Sequence, residues 1–261
     1  MNVIVCIKQV PAKIKIEIDP KTGSLISGGV DRAINPPDLY ALEEGLRIKE
    51  RTNGKVTVLT VGPLKADESL KEAIGYGADE AILLSDPAFE GSDTWATSHI
   101  LSKAIRRVGE FDLVICGKQS IDGETGQVGA MLAEALGVPF IPLVNKIEEL
   151  GGSHIKLMRM SDEGHQLIEM ALPGVISVVK EINVPRIPSL RGLMAAKKAK
   201  IPVWDAQALD VGAAIVGSAG SPCRVARVFF PHRAAKGEML QGQPESQVDQ
   251  LVEKLRQAKA I

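Results

Sequence analysis

A doubly wound, mostly parallel α/β sheet is the fold class this sequence predicts, and three observations predict it. Apolar runs of strand length alternate with stretches of helical apolar spacing through the first half of the chain. Residues 111–136 read as strand, polar loop and helix in immediate succession, the unit from which such sheets are wound. After Val138-Pro139 the pattern changes to short segments around a turn, which predicts an antiparallel extension, and the chain ends in a weakly patterned arm.

Residues 2–7 form a buried-type strand, and Lys8, Gln9, Val10 and Pro11 turn the chain away from it. Ile14, Ile16 and Ile18 then alternate with Lys15 and Glu17, and a turn over 19–23 leads to Ser24, Leu25 and Ile26, a hairpin excursion beside the main sheet. Asn35, Pro36, Pro37 and Asp38 set up a helix start; Leu39, Leu42 and Leu46 keep helical spacing as far as Arg51, and Asn53-Gly54 stops it. A second strand covers 55–61, and Leu70, Ala73 and Ile74 line a helix that stops at Gly77. A third strand covers 81–84. Asp93 is an expected N-cap for the helix carrying Ala96, Ile100, Leu101, Ala104, Ile105 and Val108.

The chain is organised around the next unit. Leu113, Val114, Ile115 and Cys116 are a continuous apolar run that ends at Gly117, and Lys118, Gln119, Ser120, Ile121, Asp122, Gly123, Glu124, Thr125, Gly126 and Gln127 contain one aliphatic residue. From Val128 the spacing is helical, with Leu132, Ala135 and Leu136 on one side and Gly137 as the stop. Such a loop presents unpaired N–H groups and the positive end of a helix dipole to an anion, and a phosphate fits there. A plain polar βα loop would also contain a glycine pair; length and composition favour the anion site. Beyond it, residues 155–160 and 166–172 flank the turn Asp162-Glu163-Gly164, and 176–179 rejoin the main sheet. The expected division is a nucleotide-binding domain over 1–200 and an arm over 201–261, whose last helix carries the narrow stripe Val248, Leu251, Val252 and Leu255.

Composition narrows the function. At 261 residues, 45% hydrophobic and 24% charged, with no apolar run near the roughly 20 residues needed to cross a bilayer, an ordinary cytoplasmic globular protein is expected, with no membrane insertion. Cys6, Cys116 and Cys223 have neither disulfide nor zinc spacing, and the four histidines are scattered, so no metal is assigned. A net charge of −1 excludes a general nucleic-acid field. Ser27-Gly28-Gly29-Val30-Asp31 is similar to the phosphate loop of ATP pyrophosphatases, but it follows the hairpin rather than the first strand, and Arg32 replaces the closing serine. No Ser/His/Asp or Cys/His set is available, so composition and spacing reach an α/β domain with a nucleotide phosphate site and no catalytic machinery.

Several stretches carry a resemblance. VCIKQVP at the start, INPPD at 34–38, VGP at 61–63, GADEAILLSD at 77–86, SDTWATS at 92–98, CGKQSIDGETGQVG at 116–129 and KEINVPRIPSLRGLMAAKKAKI at 180–201 together resemble the β subunit of electron transfer flavoproteins. The resemblance implies a Rossmann-like fold, a heterodimer with an α subunit that holds FAD, and an adenine nucleotide in the β subunit, which relays electrons and has no catalytic residues of its own. By position the nucleotide site would use Cys6, Asn35, Pro36, Pro37, Asp38, Val61 and the loop from Gly117 to Val128, with Asn35 beside the adenosine and the 123–128 amides at the phosphate. For Asn35 and Asp38 helix capping is the simpler role. SDTWATS and GADEAILLSD resemble the group that bifurcates electrons from NADH, which implies a second FAD in the β site, lined by Asp93, Thr94 and Thr97, where simple carriers hold AMP; helix capping is the simpler role for Asp93 and Thr94. Pro188, Ser189, Leu190, Arg191, Gly192, Leu193 and Met194 resemble the recognition loop for a flavin dehydrogenase, with Leu190 as its anchor. Arg191 stands where a proline often follows, and Pro87 where an arginine would follow Asp86 in the bifurcating group. Competing readings are an ATP pyrophosphatase-type enzyme and a nucleotide-sensing module.

Overall fold

The computed structural model describes residues 1–12, 31–226 and 237–261 in full, and two short strands, by their backbone, between the first two of these stretches. In chain order the elements are β1 (Asn2–Cys6), β2 (Gln9–Pro11), β3 (Glu17–Ile18), β4 (Leu25–Ile26), β5 (Arg32–Ile34), α1 (Pro36–Thr52), β6 (Lys55–Val61), α2 (Asp67–Tyr76), β7 (Glu80–Leu84), α3 (Thr94–Val108), β8 (Leu113–Gly117) and α4 (Val128–Leu136). There follow β9 (Phe140–Leu150), β10 (His154–Ser161), β11 (Gly164–Ala171), β12 (Gly174–Val178), α5 (Leu190–Lys198), β13 (Val203–Trp204), α6 (Gly217–Gly220) and α7 (Pro244–Gln257).

The main sheet runs β11-β10-β9-β12-β8-β1-β6-β7-β13. Its members from β9 to β13 pair in parallel, and β10 and β11 add antiparallel strands at one edge. Alternation along β1 divides the core: Val3 and Val5 pack with Leu42, Leu46 and Leu70 of α1 and α2, whereas Ile4 and Cys6 pack with Ile100, Ile105 and Leu132 of α3 and α4. Burial on both faces explains why these strands read as unbroken apolar runs. The expected doubly wound sheet is therefore present, with its order reversing between β1 and β8, where crevices for ligands open at the carboxyl ends of strands.

Four features depart from the expectation. Strand β9 was not anticipated: it runs parallel to β12, then turns through a bulge with Leu143 at φ 58° to pair antiparallel with β10. Pro142 and the polar Asn145, Lys146 and Glu148 disguise it as a loop. The residues read as a turn after the first strand include β2, which pairs with β5, and the Ala12 N–H donates to the Asp31 carbonyl (2.7 Å). Pairing of Glu17 with Ile26 and Ile18 with Leu25 agrees with the hairpin, while the SGGV stretch at 27–30 lies outside the described residues.

Third, the boundary expected at residue 200 falls inside continuous structure. Strand β13 extends the sheet beside β7, Leu209, Val211 and Val216 are buried in the α3/α4 layer, and the Asp86 carboxylate accepts the Ala206 N–H (3.0 Å). Fourth, the segment read as a recognition loop is helical over α5, where Ser189 caps the start by accepting the Gly192 N–H. Helix α7 buries none of its residues among the described part of the chain. No helix among the described residues is long and apolar enough to cross a membrane.

Candidate functional site: the crevice between β1 and β8

Strands β1 and β8 lie side by side with Cys6 opposite Cys116, both thiols buried in the same layer. The hydrogen bond to Cys116, reinforced by burial, pushes the Cys6 thiol well above its usual range, so Cys6 offers the crevice its backbone and not a thiolate. One position on, a Cβ at Gly117 would lie 2.7 Å from the Pro37 carbonyl carbon and 2.9 Å from the Asp38 nitrogen. Only glycine lets the end of β8 come this close to the first turn of α1. Sequence positions 6, 35–38 and 117 are thereby brought into one corner.

The loop that follows is exposed over 122–127 and tightly wound, with the Glu124 N–H donating to the Ser120 carbonyl (2.9 Å) and both Glu124 (φ 50°) and Gly126 (φ 63°) left-handed. Inside α4 the first backbone bond runs from the Met131 N–H to the Gln127 carbonyl (3.1 Å), and Gln127 supplies no side-chain cap. The amides of Val128, Gly129 and Ala130 thus lack intrahelical acceptors and carry the positive end of the dipole. These are the demands of a phosphate group, and the residues present meet them.

Side chains hold this loop from below. The Asn35 Nδ2 donates to the Gln119 carbonyl (2.9 Å) and its Oδ1 accepts the Ile121 N–H (3.0 Å). The role as a side-chain cap is corrected: Asn35 occupies the N-cap of α1, but its side chain makes no capping bond because the loop has claimed it. Asp38, in the first turn of α1, accepts the Lys8 N–H at 2.7 Å. Burial pushes the Asp38 carboxyl up to about 7, against the opposing pull of Asn35, the Lys8 and Gly117 amides and the Lys8 charge. The Lys8 ammonium pairs with the Asp122 carboxylate at 2.7 Å, and although burial opposes it, this bond holds Asp122 below its usual range. Lys8 is the site residue that sequence reasoning passed over, since a lone cation after a strand carries no pattern of its own.

The remaining expected residues fall at the same carboxyl edge but in different circumstances. Val61 ends β6 beside Gly62, whose N–H donates to the Leu84 carbonyl (3.1 Å). Asp93 is the N-cap of α3: one carboxylate oxygen accepts the Ala96 N–H (3.0 Å) and the other the Cys223 N–H (2.9 Å), so both are taken by the chain itself. Thr94 and Thr97 are half-buried on the first turn of that helix.

On the opposite side of the sheet, α5 packs on α2 through small residues. A Cβ at Gly192 would strike the Gly75 carbonyl, and Ala196 lies 3.6 Å from the corresponding position on Gly75. With its small face turned inward, the helix leaves Leu190 82% and Met194 61% exposed, continuous in sequence with Ile187 at 90%. Arg186 anchors the approach to this helix through Glu43 and Glu50 of α1.

The sequence profile of the Electron transfer flavoprotein domain matches residues 22–209. The chain is 43% identical to an electron transfer flavoprotein subunit beta of Thermoanaerobacterium thermosaccharolyticum, with all of both chains covered. Over the full length of both partners it is also 41% identical to the caffeyl-CoA reductase-Etf complex subunit CarD of Acetobacterium woodii and 38% identical to the acryloyl-CoA reductase electron transfer subunit gamma of Anaerotignum propionicum. With a domain match across most of its length and beta subunits aligned to it end to end, the chain belongs to the electron transfer flavoprotein family.

Proposed function

We propose that this chain is the nucleotide-holding subunit of an electron-carrying heterodimer, paired with an α subunit that carries FAD, and that its own crevice takes a second FAD in a carrier that bifurcates electrons from NADH. The observation that carries the nucleotide site is the uncapped start of α4 behind the left-handed turn at Gly126. Flavin, when bound, supplies the one- and two-electron chemistry. The chain's own part is to hold the phosphate on backbone amides, to keep the site's carboxylates Asp38 and Asp122 engaged internally, and to fix the ligand between α1, α3 and α4. Relatives named as the caffeyl-CoA reductase-Etf complex subunit and the acryloyl-CoA reductase electron transfer subunit support a carrier subunit that works with an acyl-CoA reductase. One observation favours AMP instead: each Asp93 oxygen already accepts a backbone N–H, from Ala96 and Cys223, which reduces what Asp93 has to offer a second flavin. The exposed apolar face of α5 is proposed to dock a flavin dehydrogenase, and α7 the α subunit.

Coexpression with an α subunit, followed by extraction and chromatography of the bound nucleotides, tests the reading. Two FAD per heterodimer are expected. One FAD with one AMP would make it a simple carrier, and a colourless protein that releases pyrophosphate from ATP would overturn the electron-carrier assignment.

A further inference from the structure

We propose that Asn35 is a strut that shapes the phosphate loop, and that it governs nucleotide binding through that loop without touching the nucleotide. This rests on the reading of residues 117–128 as a phosphate site, and it holds for AMP and FAD alike because both present the same adenosine phosphate. The resemblance alone would set Asn35 against the adenosine. The chemistry of the side chain argues otherwise. An asparagine amide has two hydrogens and one carbonyl oxygen to offer. Here Nδ2 donates to the Gln119 carbonyl (2.9 Å), Oδ1 accepts the Ile121 N–H (3.0 Å), and the Asp38 carboxylate lies against the same amide. At 1% exposure the residue has no surface left for a ligand.

The two bonds grip the consecutive peptide groups on either side of Ser120, as a neighbouring parallel strand would. The gripping residue is itself fixed, since the Asn35 N–H donates to the Lys8 carbonyl (2.8 Å) and the Asn35 carbonyl accepts the Asp38 N–H (2.8 Å). The loop shape is thus referred back to β1 and α1, both rooted in the core. Without the strut, the ties left are at the ends of the loop, where the Gly117 amide meets Asp38 and the Ser98 hydroxyl donates to the Val128 carbonyl (3.2 Å), and at the Lys8–Asp122 pair, whose side chains are 49% and 34% exposed and hold little.

The test titrates the heterodimer, freed of nucleotide, with AMP and with adenosine. For Asn35→Ala, AMP binding is expected to weaken about tenfold or more while adenosine stays within about twofold, because only the phosphate reads the preorganised loop. Equal weakening of both ligands would place Asn35 on the nucleoside and overturn the proposal, as would unchanged AMP binding. Should the variant not fold, hydrogen exchange in the wild-type heterodimer decides: the Ile121 amide is expected to be protected before any nucleotide is added, and exchange at the unstructured rate would overturn the strut. A wild type that binds neither AMP nor adenosine would remove the phosphate-site reading, and Ile121 protection would still decide the strut.

Discussion

The corner between β1 and β8 and the carboxyl-terminal third of the chain treat their surfaces in opposite ways. In the corner, the loop-facing side chains find partners within the chain: Asn35 with 119 and 121, Lys8 with Asp122, Asp38 with the Lys8 amide. On α5 and α7, by contrast, Leu190, Met194, Val248 and Leu251 are exposed. A small charged ligand is best met by donors already in place, since ordering them at the moment of binding would weaken affinity. A protein partner is met by apolar area waiting to be covered. The difference separates the proposed nucleotide corner from the helices proposed to meet protein partners, and each proposal can be broken alone.

The largest effect belongs to α7. If Val248, Leu251, Val252 and Leu255 are buried by the α subunit at roughly 1.5 kcal/mol each, deleting residues 238–261 removes about 6 kcal/mol of assembly energy. Size-exclusion chromatography should then show separated subunits; an intact heterodimer would mean that this stripe is not the contact.

Asp38 comes next, because the structured corner has a pH cost that the open end lacks. Unfolded, its carboxyl ionises near its ordinary 3.8, whereas burial holds the proton up to about 7 in the folded chain. The folded state therefore binds more protons between these values, and the stability present below pH 4 is lost as pH rises toward 7, by on the order of 4 kcal/mol at about 1.4 kcal/mol per unit. Asp38→Asn should match wild type near pH 4 and exceed it in urea midpoint above pH 7. Parallel pH profiles of the two proteins would show that the carboxyl is not buried as described.

Gly126→Val tests the loop itself. A β-branched residue at φ 63° costs roughly 1–3 kcal/mol in backbone strain, although the added Cβ meets the Lys118 carbonyl at an ordinary contact distance of 3.5 Å. Nucleotide content of the folded heterodimer should fall while assembly persists, and full occupancy would take the phosphate away from this loop.

How much of this was legible follows the same divide. The strands of the core, the stop at Gly137 and the start of α4 at Val128 could be read because burial on two faces and helical spacing leave a local signature. Strand β9 could not, since its bulge and its change of partner interrupt any period. The strand, polar loop and helix of the corner were legible, yet the bonds from Asn35 to residues 119 and 121 join segments far apart in sequence, and no spacing rule records such a pairing. The packing of the first part of the arm was hidden for a related reason: Leu209, Val211 and Val216 are buried singly along an irregular path, so their core role has no periodicity. In α5 the signal was present but inverted, because Gly192 and Ala196, weak as hydrophobes, form the inward face, and Leu190, Leu193 and Met194 keep helical spacing on the outside.

That inversion gives the smallest and most specific expected effect, at Leu190. The residue opens α5 and is 82% exposed, and the helix is held to α2 by Gly192 against Gly75, so truncating Leu190 removes nothing from the core. Ser189 caps the helix independently of it. In a partner pocket one leucine contributes roughly 2 kcal/mol, which changes affinity more than tenfold. Lys197 and Lys198 in the last turn add a positive end that favours an acidic partner and raises the rate of encounter at low salt. Leu190→Ala should therefore slow electron exchange with the cognate dehydrogenase at subsaturating partner while leaving nucleotide content and flavin potential unchanged. Equal rates would move the docking surface elsewhere. Loss of nucleotide would be the more instructive failure, for it would couple α5 to the nucleotide corner through α1, to which Arg186 ties it.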